Sequence, residues 1–74
     1  MIMAKEMIKT IGEAIPIHRL LWMEEFQFTE TGPICQKTGL IKNGEEIGYI
    51  NANSNIEYAA PDTMVLPVKI HIKN

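Results

Sequence analysis

Hydrophobic and polar positions follow two different rhythms along this chain. From Met3 to Ile15 the rhythm is helical. Met3, Ala4, Met7, Ile8, Ile11, Ala14 and Ile15 fall on one arc, and Lys5, Glu6, Lys9, Thr10 and Glu13 on the other. The pattern predicts an amphipathic helix over about residues 3–15, ended by Pro16, which pushes the preceding residue out of helical geometry. From Ile17 onward the rhythm approaches a period of two. Leu20, Trp22, Phe26 and Phe28 share one strand face, interrupted by Glu24, so 17–29 reads as a strand with a short helix over 17–25 as the alternative.

The remainder punctuates itself. Thr31-Gly32-Pro33 is a turn, and a strand follows to Lys42. Asn43-Gly44 is a type I′ hairpin signal, after which Glu45 to Asn51 runs back. Asn51 to Asn55 is a polar loop, Ile56 to Ala60 a strand, and Pro61-Asp62 a turn. Met64 to Lys73 is the last strand, with Val68, Ile70 and Ile72 on one face and Lys69, His71 and Lys73 on the other. A two-residue loop at Asn43-Gly44 sets Lys42 opposite Glu45, Leu40 opposite Ile47, Thr38 opposite Tyr49, Ile41 opposite Glu46 and Gly39 opposite Gly48. Two facing glycines make a thin spot, open to close approach by the helix, by Trp22 or by another chain. The expected fold is α+β: one N-terminal helix on an antiparallel meander of about five strands.

Length and charge narrow the picture. Seventy-four residues make a single domain, 1–74, near the lower limit for a self-sufficient core. One helix cannot cover such a sheet, so a homo-oligomer, a dimer first, or a protein partner is expected to take the remaining apolar surface. The net charge of −2, with Arg19 the single arginine, argues against nucleic acid as a partner. Lys5, Glu6 and Lys9 interrupt the N-terminal apolar run, and no stretch has the length of a membrane span. The lone Cys35 has no intrachain disulfide partner. A cytoplasmic location is expected.

Candidate chemistry is sparse. Gly32 followed by Lys37-Thr38 resembles a phosphate-binding loop, but the second glycine is missing, the spacing is one residue short, and Pro33 removes a backbone donor. Turn–strand–turn is the preferred reading. Cys35 has no activating neighbour beyond Lys37 and reads as a half-buried thiol. His18, His71 and Cys35 lack metal-site spacing, so neither a metal nor a cofactor is expected. Glu24-Glu25 and Glu45-Glu46 are adjacent pairs, which a strand points to opposite faces.

The run "NGEEIGYINANSNIEYAAP", Asn43 to Pro61, resembles the middle of biotinyl and lipoyl carrier domains. The modified lysine at the carriers' hairpin tip has no counterpart, since Asn51–Asn55 stands there, so no carrier activity is implied.

Two functions follow as expectations. The favoured one is a non-enzymatic, self-associating interaction protein, a regulator or inhibitor that grips its partner through Trp22, Phe26, Tyr49 and Tyr58. The second is a small-molecule binder with a cleft between subunits, using Arg19, Glu24, Asn51, Asn53 and Asn55 as polar contacts. An enzyme ranks last.

Overall fold

A computed structural model describes residues 6–73. Seven strands form one antiparallel sheet: β1 (Glu6–Ile11), β2 (Ile15–Pro16), β3 (Glu25–Gln27), β4 (Cys35–Lys42), β5 (Glu46–Ile50), β6 (Ile56–Ala59) and β7 (Met64–Lys73). Their order is β1-β7-β3-β4-β5-β6, with β2 added to the far end of β7, and the sheet curls into a half-barrel.

The expected N-terminal helix is not formed, and the fold is almost wholly antiparallel β rather than α+β. Met3–Lys5 lie outside the described residues, but Glu6–Ile11 is a strand paired along its whole length with β7. Met7, Ile8 and Ile11 suit either geometry, and β7 decides. Its own alternation puts Ile72 opposite Met7, Ile70 opposite Lys9 and Val68 opposite Ile11, so one face of the pair is apolar but for Lys9. Gly12 follows, and its N–H donates to the Pro67 carbonyl at 2.8 Å.

The segment 17–29 also differs from expectation. Ile17–Arg19 is one turn of 3-10 helix, Leu21–Glu24 is a tight turn, and only Glu25–Gln27 remains strand. Backbone bonds from Ile17 N to Thr63 O (2.8 Å) and His18 N to Pro61 O (3.2 Å) pin the 3-10 turn to the start of β7. Ile17 and Leu20 thereby join Phe26, Cys35, Ile47, Tyr49 and Val65 in one buried cluster. The rings of Phe26, Phe28 and Tyr49 meet edge to face, with centroids 5.3 to 5.6 Å apart. Ile15 and Ala59 pack against the margin.

At the hairpin, Asn43 (φ 53) and Gly44 (φ 77) take the left-handed conformations of a type I′ turn, closed by Glu45 N to Lys42 O at 3.2 Å. The register is nevertheless offset by one. Lys42 pairs with Glu46 and Ile41 with Ile47, while Lys37 pairs with Tyr49. Thr38, Gly39 and Leu40 therefore bulge opposite the single Gly48. The hydroxyl of Thr38 holds the bulge, donating to Gly48 O at 2.8 Å and accepting from Leu40 N at 3.2 Å.

The bulge separates the two glycines. A Cβ on Gly39 would meet the Trp22 indole at 3.6 Å, an ordinary contact, so Trp22 is the occupant of that spot. A Cβ on buried Gly48 would lie 2.9 Å from Leu40 Cβ and 3.2 Å from Leu40 O, inside the bulge itself. Gly48→Val is expected to destabilise the fold by about 2 kcal/mol in urea titration, with Gly39→Ala close to neutral; equal effects would contradict this packing.

Candidate interaction surface

The segment between the 3-10 turn and β3 carries four large apolar residues in succession, Leu20 to Met23. Leu20 turns into the core, and the next three turn out: Leu21 is 72% exposed, Trp22 71% and Met23 55%. Soluble surfaces seldom carry such a run without a purpose. The backbone here is also constrained. Met23 sits at φ 73, a left-handed conformation that a side chain with a Cβ adopts at a cost on the order of 1 kcal/mol.

Four bonds hold the turn in place. Glu24 N donates to Leu21 O at 3.1 Å, and the Glu24 carboxylate accepts from Leu21 N at 2.6 Å. Met23 N donates to Lys37 O and Lys37 N to Glu24 O, both at 2.9 Å, so the turn is stitched to β4. The side chain of Lys37 reinforces it from below. Its ammonium donates to the carbonyls of Leu20 and of His18, the latter at 3.2 Å, filling the free end of the 3-10 turn. Burial pushes the Lys37 ammonium down in pKa, and the charge of Glu24 opposes that shift. The residue that reads as the lysine of a phosphate loop is thus a backbone clamp.

An open groove of about 480 Å³ lies beside the turn, lined by Trp22, Thr38, Gly39 and Leu40. Leu40 and Ile41 are exposed along its rim strand. The bulge and the turn therefore shape one apolar recess.

The expected contact residues separate into two groups. Trp22 and Tyr58 are exposed, and Tyr58 lies beneath the Lys42 ammonium at 5.3 Å. Phe26 (0% exposed) and Tyr49 (7%) are core residues and present no surface. Among the candidate ligand contacts, Arg19 is exposed and Glu24 is engaged in the turn. Asn51 is fully employed: its Oδ1 accepts from the N–H groups of Asn53 (2.9 Å) and Asn55 (3.0 Å), and its Nδ2 donates to Glu57 at 2.9 Å. Asn53 and Asn55 close the same loop through their backbones. No hydrogen bond among the described residues joins this loop to Arg19 or Glu24.

Leu21, Met23 and Leu40 belong to the surface and were not among the expected contacts. The unbroken run Leu20–Met23 is the signal for Leu21 and Met23, masked by its fit to strand alternation, and Leu40 lies outside it. Cys35 is buried, its thiol pushed up in pKa by burial and then by the Glu57 charge, which disfavours the reactive thiolate. No three His, Cys, Asp or Glu side chains gather as a metal site among the described residues, and none of the described helical turns is long and apolar enough to cross a membrane. Comparison with protein-family models, curated proteins and solved structures finds no match to this chain.

Tyr49 supplies a pH test of the core. Its hydroxyl donates to Glu57 at 2.8 Å, and burial, then that bond, push its pKa up to about 12. An unfolded phenol titrates near about 10, so the folded state holds this proton more tightly. The resulting stabilisation is complete below pH of about 10 and is lost as pH rises toward 12. Urea midpoints of the wild type are expected to fall more steeply across that window than those of Tyr49→Phe.

Proposed function

We propose that this chain is a non-enzymatic interaction module that self-associates and grips a protein partner with the Leu21–Met23 turn, as a small regulator or inhibitor in the cytoplasm does. The observation that carries the reading is the turn itself: three consecutive large apolar side chains face solvent on a backbone clamped from both sides. A preformed loop loses little entropy on binding, and Trp with flanking aliphatic residues is the usual composition of an interface anchor. The recess beside it would receive one apolar side chain of the partner.

The test compares wild-type and Trp22→Ala chains as immobilised baits in extract of the cell that makes them. Capture of a partner that Trp22→Ala loses at least tenfold (about 1.4 kcal/mol), and Tyr58→Ala keeps, supports the reading. Equal capture by Trp22→Ala overturns it. The fold is expected to survive the substitution, since Trp22 is largely outside the core.

The groove favours a second reading, a small-molecule binder, because its volume lies within the usual range for ligand pockets. Native mass spectrometry of the purified chain separates the two: a bound small molecule displaced by Leu40→Trp supports the second, and a ligand-free spectrum supports the first.

A further inference from the structure

The chain is longer than a domain of its size requires. Its principal extents are 54 × 24 × 20 Å and its radius of gyration is 13.9 Å, against about 11 Å for a compact chain of this length. Its surface is 5440 Å², roughly 800 Å² more than a compact monomer of 8.4 kDa presents. That excess equals the area each partner gives to a standard protein interface, about 800 Å².

The excess is traceable to an arm. Strand β3 pairs with β7 only at Leu66–Val68, whereas β1 pairs with β7 from Val68 to Lys73. Beyond Val68, β1 and β7 pair only with each other among the described residues. An isolated two-stranded ribbon is marginal in water, and this one exposes an apolar face: paired Met7 and Ile72 are 71% and 63% exposed, and Ile70 and Ile11 follow along the ribbon toward Val68. Lys9 stands in the middle of that face, opposite Ile70.

Charge says what lies on it. Among the described residues the apolar face of the arm carries one charge, Lys9, since Lys69 lies on the other face with Ile8 and Thr10, whereas the body face of Gln36 and Ile50 carries Glu25 and Glu46 with Lys42 opposite Glu46. Arm against arm would oppose like charges; arm against body pairs opposite ones. The body also offers a matching face. The registers run Val68–Glu25–Gln36–Ile50–Ile56 across the sheet, so these residues share the face of the arm's apolar stripe, away from the Phe26 cluster.

We propose that two copies associate by reciprocal exchange, the apolar face of each β1–β7 arm lying on the body face of the other that carries Glu25 and Glu46, with Lys9 directed to those carboxylates. A two-fold relation makes the contact twice with the same residues. This rests on and deepens the self-association part of the function proposed above and does not use Trp22.

Sedimentation equilibrium tests it with Lys9→Glu, the double variant Glu25→Lys/Glu46→Lys, and Ile72→Ser, each checked for folding by circular dichroism. The expected result is a wild-type dimer weakened about tenfold or more by each variant, weakened also by salt, and a mixed dimer recovered when the two charge-reversed chains are combined. A dimer indifferent to charge reversal, or one lost with Ile72→Ser but strengthened by salt, overturns arm-to-body exchange while leaving self-association intact. A wild-type monomer at hundreds of micromolar overturns both. Association unchanged in Trp22→Ala is required, and its loss there would assign the contact to the turn instead.

Discussion

One sheet with a single short turn to cover it is the constraint on which this molecule depends. Among the described residues, Ile17 and Leu20 are the only apolar residues from outside the strands that enter the main cluster, and they do so because Thr63 and Pro61 carbonyls hold the 3-10 turn over Phe26 and Tyr49. That closes one face around seven buried residues. The opposite face and the β1–β7 arm have no such layer among the described residues. A sheet with helices or a second sheet behind it buries both faces; this one buries a cluster on one face and, on the other, Val68, Gln27 and Gly48 near the sheet centre. Its stability, its elongated outline and its exposed apolar stripes share that origin.

Lys37 links the closed face to the exposed turn. The same ammonium that fills the carbonyls of His18 and Leu20 positions the chain that emerges as Leu21-Trp22-Met23. Glu24 then ends the turn and delivers the chain into β3. The core and the display surface are therefore two ends of one hydrogen-bonded device. The bulge at Thr38–Leu40 completes it, because it sets Gly39 against the Trp22 ring at ordinary van der Waals distance.

Much of the meander was legible in the residues. The Asn43-Gly44 turn, the Asn51–Asn55 loop, the Pro61-Asp62 turn and the alternation of β7 all appear where local chemistry puts them. The N-terminal element was not legible, because Met7, Ile8 and Ile11 satisfy a helical arc as well as a strand, and the deciding fact is a partner strand about sixty residues away in sequence. Register shifts by one at the hairpin because Glu45 joins Asn43-Gly44 in the loop, and it shifts again beyond the Thr38–Leu40 bulge, whose extra residues leave no mark in composition. Of the expected contacts, Trp22 and Tyr58 are exposed, while Phe26 and Tyr49 look the same as interface aromatics until burial is known.

The central claim is that the core face is self-sufficient and the arm is not. Hydrogen exchange measured as a function of protein concentration tests it directly. Amides of β3, β5 and Val65–Val68 are expected to be protected at every concentration, and those of β1 and Lys69–Lys73 only where copies associate. Arm amides equally protected at high dilution would contradict the account.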